Sequence, residues 1–423
     1  MSSEPILVSL LPDTATLRPD DVSIGGVSLR DLAATYGTPL FVYDEATLRS
    51  RCREAASVFD DGVAFASKSF LCGAMARLAF EEGLCIDVST GGELDIVLRA
   101  GVPASRIILH GNNKSHDELE RAWSVGVHRV IVDNFDEIER IRALATPNAP
   151  FDCLVRVTPG VEAHTHEFVR TGQEDTKFGF SVATGDARRA ISYLREIPGV
   201  RLHGVHAHIG SQIFDMAGYV ETLSILSEFT SDDDFDELCI GGGLGVAYVA
   251  DESAPTITEW GSSIRKAAAE AGLAATLRLL AEPGRSIVAQ AGITLYRVGA
   301  VKPVTQRTYM AVDGGMSDNP RPVLYGSGYE ALDVDHPLDP RAQVVRLVGK
   351  HCESGDVLID EAWLPSVTGV GSVIATPVTG AYGYSMASNY NRVPRPAVVF
   401  VADGRAREVL RRETFDDLAR LEA

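Results

Sequence analysis

The chain has 423 residues, of which 45% are apolar and 23% charged, and carries a net charge of −19. That length supports two or more cores, and the acidic balance argues against a nucleic-acid partner, whose phosphate backbone needs a basic face. Cys52, Cys72, Cys85, Cys153, Cys239 and Cys352 form no CxxC pair and no zinc-like spacing; they read as free thiols of a reducing compartment, with the cytoplasm the expected location.

The opening "PILVSLLP" is apolar but short, lacks a basic flank and runs into acidic residues, so it is not expected to act as a signal peptide. No stretch approaches the roughly 20 apolar residues of a membrane span. "PLFVYD", residues 39–44, is a strand that precedes the main repeat and is expected to join a later β domain. From residue 62, β-branched runs alternate with amphipathic ones. The strand candidates are "GVAFAS", "LCIDVS", "RIILHG", "RVIVDN", "DCLVRVTP", "LHGVHAHIG", "LCIGGG" and "RLLAEPG". Between them lie helix-like stretches such as "CGAMARLAFEEG" and "SHDELERAWSVG", which close on glycine as helix C-termini do. Eight such units predict a (β/α)8 TIM-like barrel over 44–303. Beyond it "YMAVDGG", "AQVVRLVGK", "DVLIDEAWL" and "PAVVFVADG" are strands with few helices between them. Residues 1–43 and 304–423 are therefore expected to form a mostly antiparallel β-sandwich or β-barrel domain.

A barrel keeps its chemistry at the C-terminal ends of its strands. In chain order these ends offer Lys68; Asp87 and Ser89; His110; Asn134; Arg156; His206, His208 and Ser211; Gly241, Gly242 and Gly243; and Glu282 with Arg285. Taken alone, Lys68 in "FASKSF" reads as a strand-exit lysine returning its amine to solvent. Its company changes that. "GGGLG" offers unshielded backbone N–H groups to a phosphate, without the Walker or Rossmann context. "AEPGRS" adds a guanidinium that matches phosphate oxygens and a carboxylate that needs some other partner. An amine, a phosphate cradle and a carboxylate suit pyridoxal 5'-phosphate: the amine takes the aldehyde as a Schiff base, and the carboxylate keeps the pyridine nitrogen protonated. A dry, cationic setting is expected to keep the amine neutral. The rival reading is a metal-dependent barrel hydrolase, with His206 and His208 alternating onto one strand face as an HxH pair. His164 and His166 in "EAHTHEF" are expected to be polar loop residues.

Together "FASKSF", "HIGSQ", "GGGLG", "EPGR", "CESGD" and "GAYGYSMASNYN" closely resemble the pyridoxal-phosphate amino-acid decarboxylases of the alanine-racemase-like barrel fold, and within them the branch acting on diaminopimelate. The likeness runs from about residue 25 to the C-terminus. It implies that Lys68 carries the cofactor and that His208 stacks on its ring. It assigns the phosphate to Ser211, Gly241, Gly242, Gly243, Arg285 and Tyr382 and the pyridine nitrogen to Glu282, with Asp87, Arg156 and Gly284 also lining the cofactor site. It implies that Arg285, Arg321, Tyr325, Glu353 and Tyr382 grip the substrate's distal amino-acid end. Cys352, delivered with Glu353 from the second subunit of a homodimer, would protonate the carbon left by CO2. The implied reaction is decarboxylation of meso-2,6-diaminopimelate at its D-centre to L-lysine. A sister specificity for ornithine, arginine or carboxynorspermidine is the near alternative; Arg321 with Glu353 speaks against it, because those substrates lack the distal zwitterion in whole or part. Two departures from the family pattern stand out: "ASKS" where "ALKAN" is common, and "YGSGYEALDVDHPLDP" after Tyr325 in place of "YGAYH".

Overall fold

The computed structural model describes residues 8–59, 61–161, 175–273 and 277–422. By internal contact the chain forms two units, one of residues 51–245 with 254–286 and the other of residues up to 50 with 246–253 and 287–423.

In the first unit, eight parallel strands follow one another around the sheet in chain order: Ala64–Ala66, Cys85–Val88, Ile107–Leu109, Arg129–Val132, Phe151–Thr158, Val200–His206, Glu237–Cys239 and Arg278–Leu280. The eighth returns to the first through a parallel bridge, Val63 to Ala281, and the Ala64 N–H donates to the Ala281 carbonyl at 2.9 Å. The sheet is therefore a closed barrel, as the eight alternating segments predicted. Its lumen is filled by Ala64, Cys85, Ile108, Ile131, Leu154, Cys239 and Leu280. The sixth strand passes its neighbour as Gly204, where a Cβ would lie 1.8 Å from the Glu237 carbonyl oxygen.

The helices start where the strands end, because polar caps stop the chain there. Thr90 caps Gly91–Arg99, Ser115 and Glu118 form a capping box on His116–Val125, and Asn134 caps Phe135–Leu144. These helices turn their positive ends toward the rim that carries the polar residues. Lys114, only 2% exposed, holds the loop after the third strand: its ammonium donates to the carbonyls of Gly111 and Ile131 and pairs with Glu137 at 2.8 Å. Two carbonyl acceptors and the opposite charge of Glu137 make burial of that ammonium tolerable.

The second unit is built on a mixed sheet. Its strands run, in spatial order, Val357–Leu364, Gln343–Val348, Thr308–Val312, Gly292–Pro303, Leu40–Asp44, Ala397–Ala402 and Arg405–Leu410. Two of these pairings are parallel, Thr308–Val312 with Gln343–Val348 and Leu40–Asp44 with Ala397–Ala402; the rest of the path is antiparallel. Leu40–Asp44 is buried along its whole length, as a strand paired on both edges should be. Leu40, Val42, Ile293, Leu295, Val399 and Val401 stand in one core. Among the described residues no helix is long and apolar enough to cross a membrane.

Candidate active site

At the rim of the first unit the chain gathers four titratable groups around Glu282. One oxygen of its buried carboxylate lies 2.9 Å from His206 Nε2; the other lies 3.2 Å from His110 Nε2 and from the Cys239 thiol, which donates to it. His110 Nε2 also approaches Asp87 at 3.5 Å. Burial alone would raise Glu282, but the charges and hydrogen bonds of His110 and His206 outweigh it and hold the carboxyl well below its usual range. Burial, reinforced by the Glu282 charge, raises Asp87. His110 shows the opposite balance: burial lowers it, yet the two carboxylates outweigh this and hold it protonated up to about 9. The result is a buried anion fixed in place and ionised.

His208 lies just beyond the sixth strand, not on it. Its Nδ1 accepts the Gly242 N–H at 3.1 Å, and burial, followed by the Lys68 and Arg156 charges, holds it well below the usual imidazole range. A neutral ring is thus presented at the rim. The HxH pair of the rival reading does not form: the described groups spaced closely enough for a metal are His110, His206 and Glu282, and Glu282 is already bonded to His206 and lies 3.2 Å from His110.

The glycine run differs from expectation. The Gly241 N–H points at the Cys239 sulfur and the Gly242 N–H at His208, so two of the three N–H groups are engaged, leaving that of Gly243. Close approach explains the glycines better than an open cradle does: a Cβ would fall 2.7 Å from His208 Nδ1 at Gly241, 2.2 Å from the Glu282 carbonyl oxygen at Gly242 and 2.5 Å from the Gly210 oxygen at Gly243. Gly284 lets the last strand end lie against the Lys68 turn, with Ala66 Cβ 2.9 Å from where its own would be.

Lys68 sits in the turn Ser67–Ser69, exposed. Its charge acts on Asp87 and Glu93 as well as on His208. The dry, cationic setting expected for it is therefore not found: the turn after the first strand projects the side chain outward, and carboxylates stand near it. Arg285 Nη2 donates to Ser211 Oγ at 2.9 Å, which joins the two side chains expected at the phosphate. Arg156 is buried, 3.6 Å from Asp133 and stacked 4.3 Å over Phe178. Asn134 is spent as a helix cap, and the Ser89 N–H is taken by Glu93. His164 and His166 lie outside the described residues.

The second unit holds the other expected residues. Arg321 is 4% exposed, at the start of the short helix Arg321–Tyr325. Tyr382 has φ +61, a left-handed backbone uncommon for an aromatic residue. Tyr325 is half-buried at the helix end, while Cys352 and Glu353 are exposed on the turn between two strands. That turn is pinned by Asp356, whose carboxylate accepts the backbone N–H groups of Met316 at 2.6 Å and His351 at 2.8 Å. Asn391 reaches the same turn, accepting from the Cys352 N–H. "CESGD" and "SNYN" thus meet in space.

Residues 45–289 match the family model described as pyridoxal-dependent decarboxylase, pyridoxal binding domain. The chain belongs to the pyridoxal-dependent decarboxylases. Among curated members, the diaminopimelate decarboxylase of Mycobacterium tuberculosis is 47% identical over 422 residues, covering 95% of this chain and 94% of its own. That of Bacillus subtilis is 46% identical over 417 residues, covering 95% of each. The crystal structure of the M. jannaschii diaminopimelate decarboxylase in complex with L-lysine is 30% identical and superimposes with a TM-score of 0.90, covering 97% of this chain and 98% of that one.

The donor set of this decarboxylase fits a pyridoxal group. A rim amine, an ionised buried carboxylate held by two histidines, and an arginine–serine pair match respectively an aldehyde, a ring nitrogen and a phosphate. The Cys239 contact with Glu282 was not foreseen, because a cysteine in an apolar strand reads as core.

Proposed function

We propose that the protein decarboxylates meso-2,6-diaminopimelate to L-lysine and CO2 with pyridoxal 5'-phosphate as cofactor. The observation that carries this reading is the buried, ionised Glu282 held by His110 and His206 at the barrel rim that also bears Lys68, in a chain whose curated relatives of near-equal length share one activity name. Bound pyridoxal phosphate supplies the electron sink for the pair of electrons left when CO2 departs. Lys68 holds the aldehyde carbon, and the ionised Glu282 carboxylate keeps a proton on the ring nitrogen. His208, neutral and fixed by Gly242, packs its face on the ring. Arg285 with Ser211 binds phosphate oxygens, joined by Gly243 and Tyr382; Asp87 and Arg156 line the pocket wall.

At the substrate's distal end a guanidinium suits the carboxylate and a carboxylate suits the ammonium, which are the parts assigned to Arg321 and Glu353, with Arg285, Tyr325 and Tyr382 sharing in the grip on that end. Cys352 delivers a proton to the carbon that has lost CO2. Its exposure is consistent with service to the site of a second copy in a homodimer. Turnover of meso-diaminopimelate is expected to exceed that of ornithine and arginine by about two orders of magnitude in kcat/KM, because those amines leave the buried Arg321 charge unmatched. Equal or better use of ornithine would replace this reading with the sister specificity.

A further inference from the structure

Arg321 is a buried cation, 4% exposed. No carboxylate among the described residues pairs with it, although such pairing is how buried guanidinium groups are ordinarily tolerated. Aromatic groups replace it. The guanidinium carbon lies 4.0 Å over the ring of Tyr248 and 5.6 Å from that of Tyr329, and Nη1 donates to the Tyr329 hydroxyl at 2.6 Å. Both tyrosines are buried, at 3% and 4% exposure, and their rings meet edge to face at 5.4 Å. One face of the guanidinium is covered and one N–H is tied. The rest of the fork is left to meet an anion in a fixed plane, the geometry a carboxylate needs for two parallel hydrogen bonds.

Tyr329 lies in the segment that follows the short helix Arg321–Tyr325. We propose that Tyr329, backed by Tyr248, is a positioning residue that orients Arg321 and thereby sets this protein's selectivity for a substrate bearing a carboxylate at its far end. The inference rests on the function proposed above and deepens it. Tyr329 has no part in the bond-breaking step. Its loss should therefore weaken recognition of the distal carboxylate and leave chemistry at the other end intact.

The test compares the holoenzyme with its Tyr329→Phe variant, which keeps the ring and removes the hydroxyl. KM for meso-diaminopimelate is expected to rise about tenfold with kcat within about twofold of wild type, the size of one hydrogen bond to a charged group. Inhibition by L-lysine, which retains the amino-acid end, should weaken by the same factor; inhibition by 1,5-diaminopentane, which lacks the carboxylate, should not change. Tyr248→Leu, which removes the stacked ring, should show the same split. In an Arg321→Lys background Tyr329→Phe should add nothing further. A variant with wild-type KM and wild-type lysine inhibition overturns the proposal, and so does an equal loss for lysine and 1,5-diaminopentane. Failure of the wild-type enzyme to turn over meso-diaminopimelate would instead overturn the function on which the inference rests.

Discussion

Replacing Lys68 by alanine is expected to take turnover of meso-diaminopimelate below detection while the barrel still folds. The side chain is exposed and lies in a turn, so its removal leaves no cavity and breaks no core contact. The apolar strand Ala64–Ala66 and the neighbouring Gly284 close approach, which shape the turn, do not depend on the amine. Far-UV circular dichroism and the melting temperature should therefore match wild type. Residual activity above about one part in a hundred would remove Lys68 from the chemistry, since acid–base and nucleophilic groups of this kind contribute roughly 10²- to 10⁴-fold. The same variant tests assembly: mixed with inactive Cys352→Ala protein under subunit exchange, it should recover part of the activity. No recovery would count against a site shared between copies.

Glu282→Gln is the second large effect. The substitution keeps the shape and removes the charge that His110 and His206 flank at 3.2 and 2.9 Å. A neutral amide does not hold a proton on a ring nitrogen, so kcat is expected to fall by roughly 10²- to 10⁴-fold. A second readout needs no turnover. His110 is held protonated up to about 9 by Glu282 and Asp87 acting against burial. A folded-state value raised above the unfolded one contributes stability that is fully present below about 6.5 and is lost as pH rises through about 9. In Glu282→Gln the His110 resonance should titrate at lower pH, and the alkaline loss of stability should begin earlier. Unchanged His110 titration would mean that the network does not act through Glu282.

The barrel was readable in the sequence because each β-branched run is bounded by a cap or a glycine, and because closure of eight parallel strands forces all their C-terminal ends to one rim. That topology, more than any motif, brought Asp87, His110, His206 and Glu282 to one place. What stayed hidden depends on partners distant in sequence. Lys114 in "GNNKSH" looks like a loop lysine, and only Glu137 and two carbonyls make it a core residue. Gly242 promised a free N–H that His208 in fact accepts. Arg321 had no visible need of Tyr248, which leaves the barrel's seventh strand in a loop and packs on it at 4.0 Å. Asp356 in "CESGD" has the look of one more turn charge, yet it serves as the acceptor that fixes the turn.

The measurement that tests the account most directly is borohydride reduction of the purified holoprotein followed by peptide mapping. Loss of the visible absorption band, one pyridoxyl group on the peptide that contains Lys68, and parallel loss of L-lysine formation are the expected results. A colourless protein that requires a metal, or a label on any other lysine, would contradict it.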